Sequence, residues 1–208
     1  MSRFRKPPHD VFVSTDIEAD GPAPGLNSML SLGSAAYSAE GDLLDTFSVN
    51  LETLPEASAH PKTVEWWKQW PEAWELARRD ARPPEEAMQA YLDWLKGLDG
   101  RPVFVAWPVG FDFPFVNYYL LRFTGEAPFG FTALDIKTYA MALTSRSSYH
   151  RTTKDRLPDR WFEPELKHNH VALDDALEQG ALFMAMFREV MAGGETAINP
   201  QDFSEYPE

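Results

Sequence analysis

The hydrophobic period of this chain changes once, near residue 50, and that change restricts the folds open to it. Before it, VFVSTDIEAD from Val11 is β-branched and apolar and then abruptly carboxylate-bearing, the pattern of a buried strand that emerges at a polar edge. GPAPG at 21–25 is a loop, SMLSLGSAAYS from Ser28 resumes a strand interrupted by Gly33, and LLDTFSVNLE from Leu43 follows a Glu40-Gly41-Asp42 turn. The opening thus predicts a three-stranded meander.

Beyond it the apolar period is near 3.6. PKTVEWWKQW, PEAWELARRD and PPEEAMQAYLDWLKGL each start at proline, which suits a first helical turn. In the last of them Ala87, Tyr91, Trp94, Leu95 and Leu98 form one apolar stripe that must pack on something. Arg101-Pro102 opens a short strand, VFVAW, and VGFDFPFVNYYLLRF becomes helical after Pro114. FTALDI predicts a fifth strand and KTYAMAL a short helix. Residues 144–164 are polar and aperiodic, a loop or lid. The last element, VALDDALEQGALFMAMFREVMA, is a helix with Ala172, Leu173, Ala176, Phe183, Met184 and Phe187 on one face.

Strands first, then helices alternating with single strands, predict one α/β domain with a mixed sheet. It is expected to span 1–208, with a core of about 10–192 between a short basic N-terminal segment and an acidic tail from Gly193. The absence of cysteine excludes disulfides, thiolate zinc sites and a cysteine nucleophile. With 19 basic and 32 acidic residues the net charge is −13, which argues against a basic clamp on duplex DNA. No stretch reaches the roughly 18 apolar residues of a membrane span, and MSRFRKPPHD has no apolar core behind it, so a cytoplasmic protein without a membrane partner is expected.

Asp16 and Glu18 stand two apart at the end of the first strand, so both carboxylates project from one face. Asp112 follows the fourth strand and precedes a helix, and His170 and Asp175 open the last helix. If strands one and four are neighbours, these groups converge at one sheet edge. Clustered carboxylates repel unless they protonate or bind cations, and all-oxygen ligands suit Mg²⁺ or Mn²⁺. Two such ions about 3.5–4 Å apart can clamp an in-line phosphodiester displacement, and a histidine is a suitable base for the attacking water. With 15 Asp and 17 Glu, chance alone supplies about one D-x-E in 208 residues. H-x-x-x-x-D occurs twice, at His150/Asp155 and His170/Asp175. The order and local context of the residues carry the weight.

In that order the residues resemble the DEDDh 3′-to-5′ exonucleases, a ribonuclease H-like group that includes proofreading subunits and oligoribonucleases. VFVSTDIEADG…NSMLSLGSAAY is similar to the family's first motif, Trp107-Pro-Val-Gly-Phe111-Asp112 to its second, and His170-Val-Ala-Leu-Asp174-Asp175-Ala to its third. The match runs roughly from Val11 to Met191. It implies a five-stranded mixed sheet of order 3-2-1-4-5 flanked by helices, and release of nucleoside 5′-monophosphates from the 3′ ends of single-stranded RNA or DNA. It further implies that Asp16, Glu18 and Asp175 hold one Mg²⁺ or Mn²⁺, that Asp16 and Asp112 hold a second, and that His170 is the base. Ile17, Trp107 and Phe111 are the candidate substrate contacts. A homodimer or a polymerase-type partner is an open alternative, as is a non-catalytic binding module or an endonuclease on the same fold. The Trp66-Trp67 helix resembles a bacterial exoribonuclease branch and leans toward RNA.

Several residues have plainer readings. Trp107 replaces the family's polar residue and reads first as a core tryptophan, with base stacking as the alternative. Trp66, Trp67, Trp70 and Trp74 read as helix packing, His168 as a solvated neighbour, and Asp135 as a helix N-cap. The helical wheel does not separate Asp174 from Asp175; the family spacing selects Asp175. The basic stretch 146–160 is a solvated loop or a phosphate-contacting lid, and His150/Asp155, with no helix behind it, is set aside.

Overall fold

The computed structural model describes residues 9–192. The first eight residues of the basic segment and the acidic tail from Gly193 lie outside the described residues. The strands are β1 (Asp10–Ala19), β2 (Met29–Tyr37), β3 (Leu43–Asn50), β4 (Arg101–Ala106) and β5 (Leu134–Asp135). The helices are α1 (Pro61–Trp67), α2 (Pro71–Leu76), α3 (Pro84–Gly97), α4 (Val109–Thr124), α5 (Ile136–Leu143) and α6 (Ala172–Met191).

The sheet order is β3-β2-β1-β4-β5, as the resemblance implies. β1–β2 and β2–β3 are antiparallel, β1–β4 and β4–β5 parallel. The sheet is covered on both sides. Val11, Val13, Ile17 and Ala19 of β1 pack with Tyr91 and Leu95 of α3 and Phe115 and Tyr119 of α4. On the other face Phe12 joins Leu182, Phe183 and Met186 of α6 and Ile136 and Ala140 of α5. Burial of this two-sided apolar surface, at about 25 cal/mol per Å², drives the assembly.

Two glycines let α6 lie against the sheet. A Cβ on Gly180 would stand 2.5 Å from the Tyr37 ring and 2.8 Å from Ser14 Cβ, and one on Gly33 would stand 2.3 Å from the backbone of Ala172 and Leu173. Gly33 pairs with Asp16 across the β1–β2 ladder. The close approach therefore sets the start of α6 directly over the carboxylate end of β1.

Two local expectations are corrected, and a third, the aperiodic loop at 144–164, is kept with short turns added. β5 is two residues long instead of six, because Asp135 ends it by capping α5: its side chain accepts the Thr138 N–H at 3.0 Å. α4 begins at Val109 and carries Pro114 inside it, because the same Asp135 accepts the Val109 N–H at 3.1 Å and caps α4 from the neighbouring strand. Asp112 thus lies in the first turn of α4 and not ahead of it. Residues 144–164 are ordered by two short 3₁₀ turns, Lys154–Arg156 and Asp159–Trp161, with Trp161 buried and its indole N–H donating to Glu189 at 2.7 Å.

Candidate active site

β1 and β4 pair in parallel only as far as Ser14–Val105, so Asp16 and Glu18 run past the carboxyl end of β4, where an open α/β sheet leaves a crevice for ligands. Even-numbered residues of β1 face α6: Phe12 packs on Phe183, and the Ser14 hydroxyl donates to Ala176 O at 2.8 Å. Asp16 and Glu18 continue that face beneath the first turn of α6. Asp175 meets them there. Ligand oxygens of Asp16, Glu18 and Asp175 lie within 4.8 Å of one another.

The buried side of α6 contains Ala172, Asp175, Ala176, Gln179, Gly180 and Phe183, a helical spacing with polar members that an apolar stripe omits. Gln179 links two strands, donating to Thr15 O at 2.9 Å and accepting the Trp107 N–H at 2.7 Å. Asp175 is 1% exposed. Asp174 is exposed and accepts from Asn169 Nδ2 at 2.7 Å. The structure thereby places Asp175, and not Asp174, against β1.

Asp175 also organises the loop before its helix. Its Oδ1 accepts the Asn169 N–H at 2.8 Å; its Oδ2 accepts the His170 N–H at 3.1 Å and lies 2.7 Å from His168 Nδ1. These bonds hold His170 at φ 61°, a left-handed conformation uncommon for a side-chain-bearing residue. The five-residue spacing of His170 and Asp175 therefore has a local cause: the carboxylate reaches back to the histidine's own amide. His168 corrects the expectation of a mere solvated neighbour. It is half-exposed, yet it touches the buried carboxylate, and its ring meets that of His170 at 4.4 Å.

The His170 ring is held edgewise by Trp66 at 4.8 Å and Trp70 at 4.5 Å. Burial lowers its pKa, as does His168, against an opposing pull from Asp175, so the neutral ring is favoured. Here the packing reading of the tryptophans needs correction as well. Trp67 is buried and its indole N–H donates to Ala19 O at 3.0 Å, but Trp66 and Trp70 are exposed by more than a third. α1 and α2 are too short to bury both faces, so Trp66 lines the cleft and Trp70 packs on the His170 ring beside it.

Asp112 is fully buried and its Oδ1 accepts the Ile17 N–H at 3.0 Å, locking α4 to β1. Burial pushes its carboxyl up to about 8 despite that bond and the nearby Lys154. Burial also raises Asp16 and Glu18 well above the usual carboxylate range; Asp112 then Glu18 add to the shift at Asp16, and Asp175 then Asp112 at Glu18. Buried like charges of this kind are stable when protonated or when cations neutralise them. The all-oxygen donor set fits a hard divalent ion such as Mg²⁺ or Mn²⁺.

The carboxylates open into a cavity of about 290 Å³ lined by Ile17, Trp66, Trp107, Phe111, His168 and His170 among others. Ile17 is buried, while Trp107 is half-buried and Phe111 is 38% exposed. Trp107 thus serves the core and walls the cleft. Of the basic stretch, Arg160 pairs with Glu189 at 2.8 Å, whereas Lys154 pairs with the buried Glu178 and lies 6.0 Å from the Trp107 ring centre. His150 packs on Tyr149 away from this cavity. Sequence reasoning missed His168 and Trp66 as cleft residues and Trp70 as a support of the His170 ring. Their two-residue and four-residue spacings around His170 and within α1–α2 were the available signal.

No family model matches the sequence. The 3′-5′ DNA exonuclease Cap18 of Escherichia coli is 33% identical over 177 residues, which cover 84% of this chain and 90% of the relative. The nuclease domain of 3′hExo, a DEDDh family member bound to rAMP, superposes with a TM-score of 0.62 at 11% identity, over 89% of this chain and 94% of that one. E. coli Exonuclease I in complex with a dT13 oligonucleotide gives a TM-score of 0.63 at 13% identity, over 86% of this chain and 41% of that one. At such identities the structural likeness is one of fold.

Proposed function

Because the chain belongs to the DEDDh family of 3′-to-5′ exonucleases, we propose that Asp16, Glu18, Asp112 and Asp175 hold two divalent ions and that His170 is the base. The chain is a hydrolytic 3′-to-5′ exonuclease acting at nucleic-acid 3′ ends, and divalent metal use goes with its family. The observation that carries the finer reading is the convergence of the half-buried Asp16 and the buried Glu18 and Asp175, from β1 and α6, within 4.8 Å.

Asp16, Glu18 and Asp175 would hold one Mg²⁺ or Mn²⁺, and Asp16 with Asp112 the other. Such ions supply positive charge at the attacking and leaving oxygens of an in-line displacement. His170 takes the proton of the attacking water. Its lowered pKa keeps it neutral and able to accept, and the edges of Trp66 and Trp70 hold its ring at the cleft. Ile17, Trp107 and Phe111 wall the space for the terminal nucleotide, where stacking on an aromatic ring contributes about 1–3 kcal/mol per base. Phosphodiester hydrolysis then releases a nucleoside 5′-monophosphate. Residues of about 10–192 are read as one nuclease domain.

Single-stranded DNA ends are the substrate this reading favours, since the relative at 33% identity is a DNA exonuclease; this reverses the lean toward RNA from the tryptophan pair. The test is a time course on matched DNA and RNA oligonucleotides labelled at one end, with Mg²⁺ or Mn²⁺, beside a circular single strand. Stepwise mononucleotide release from linear DNA, lost in Asp16→Asn, is the expected result. Cutting of the circle, or full activity in Asp16→Asn, refutes it.

A further inference from the structure

Asp175 belongs to two clusters of different chemistry. One is all oxygen, Asp16, Glu18 and Asp175; the other is His168, His170 and Asp175, whose ligand atoms also lie within 4.8 Å of one another. We propose that His168, His170 and Asp175 form a second binding site, overlapping the first at Asp175, for a softer divalent ion, Zn²⁺ first, which competes with the catalytic arrangement by engaging His170. Asp175 is fixed by the Asn169 N–H at 2.8 Å and is 1% exposed, so the carboxylate end of the site is rigid. His168 and His170 come from one short loop and stand on the solvent side of it, where an ion can enter. The His168 Nδ1–Asp175 Oδ2 contact of 2.7 Å is already closer than the edge of about 3.3 Å that two ligands at Zn²⁺ distances near 2.0–2.1 Å subtend. A small opening, by rotation of the half-exposed His168 ring, admits the ion.

The choice of ion follows from the donors. Imidazole nitrogen raises affinity along the series that favours Zn²⁺ over Mg²⁺ and Mn²⁺, and three protein ligands with an open fourth position are a familiar zinc arrangement. The oxygen cluster lacks that imidazole advantage and suits the harder Mg²⁺ and Mn²⁺. A single chain thus offers Mg²⁺ or Mn²⁺ the carboxylates and Zn²⁺ the histidine pair, with Asp175 common to both. Zinc at the second site removes His170 from proton transfer. That consequence for activity rests on the exonuclease reading above; the binding itself does not.

The test uses the full chain, stripped of metal and then given excess Mg²⁺. Zn²⁺ titration by calorimetry is expected to show one ion per chain, and Co²⁺ is expected to give the visible bands of a four-coordinate site with nitrogen ligands. His168→Gln, with an unchanged circular dichroism spectrum, should weaken Zn²⁺ by at least about tenfold and lose the Co²⁺ bands. Histidine ring resonances of the wild-type chain should shift with Zn²⁺ and not with Mg²⁺, a measurement that needs no variant. Equal Zn²⁺ affinity in wild type and His168→Gln, unshifted ring resonances, or no bound Zn²⁺ overturns the site. In nuclease assays, the half-inhibitory Zn²⁺ concentration, referred to each protein's own Mg²⁺ rate, should rise at least about tenfold in His168→Gln. Zinc binding to a chain that lacks Mg²⁺-dependent nuclease activity would defeat the exonuclease reading and leave the site standing.

Discussion

Gly33→Ala tests whether the closeness of α6 to β2 sets the carboxylate spacing. The added Cβ would lie 2.3 Å from Ala172 C and Leu173 N and 2.4 Å from Ala172 O. These are backbone atoms in the first turn of α6, so no side-chain rotation relieves the contact. Reaching an ordinary 3.4 Å separation requires a retreat of about 1.1 Å, the difference 3.4 − 2.3. Asp175 lies three residues into the same helix and moves with it, away from Asp16, the residue paired with Gly33. A displacement of about 1 Å in a catalytic constellation costs about 100-fold in rate. Overpacking costs about 1–3 kcal/mol of stability, and each kcal/mol lowers Tm by about 2–4 °C in a chain of this size. The assay is kcat on a 3′-labelled single-stranded oligonucleotide at saturating Mn²⁺, with Tm measured in parallel. Gly97→Ala, where an added Cβ meets nothing within 4 Å, is the control and should match wild type. Wild-type kcat in Gly33→Ala, whatever its Tm, refutes the claim that this contact spaces the carboxylates.

Four further outcomes are expected. Asp16, Glu18 and Asp112 have raised pKa values in the folded chain, so the native state keeps protons that the unfolded state, with carboxyl pKa values near 4, has released. The Tm of the EDTA-treated protein should therefore fall as pH rises from about 4 to about 8, and Mn²⁺ should flatten the slope; a slope that Mn²⁺ leaves unchanged contradicts a carboxylate origin. His170→Gly suits the backbone at φ 61°, so it should fold while kcat drops about 10²–10⁴-fold with Mn²⁺ affinity retained. Loss of Mn²⁺ binding with an intact metal-saturated rate would reverse that assignment. Asp175→Asn should lower kcat by at least about 100-fold, from several kcal/mol of lost charge stabilisation, while exposed Asp174→Asn stays within about twofold; equal losses would dissolve the distinction. Trp66→Ala should raise KM for oligonucleotides by the equivalent of about 1–3 kcal/mol, and an unchanged KM would exclude Trp66 from strand contact.

Much of the fold was legible because it is written in local periods. β1 to β3 alternate or run apolar, and the prolines at 61, 71 and 84 mark helix starts that the structure keeps. What failed had a non-local cause. Asp135 caps both α4 and α5, and its hydrogen bond to Val109 crosses from one chain segment to another, so neither the early start of α4 nor the shortness of β5 is visible in either segment alone. The apolar face of α6 is legible from its hydrophobic members, yet near its start the buried side also carries Asp175, which bonds back to the Asn169 and His170 amides, and Gln179, which bonds Thr15 of β1 and Trp107 just past β4.

By itself, then, the sequence determined the residue types and their order: two carboxylates spaced for one strand face, a third after β4, and a histidine five residues before a fourth. It also determined that any resident metal must sit among oxygens and imidazoles, since no thiolate exists. The tertiary structure decided which carboxylates meet. Asp175 was separated from Asp174 by burial against β1, and that burial depends on a glycine in β2, about 140 residues earlier, leaving room for a helix backbone. Tertiary contact likewise brought Trp66 and Trp70 onto His170. Short-range periodicity carries information about the face a residue occupies; only packing, which joins distant segments at ångström range, specifies what that face will touch.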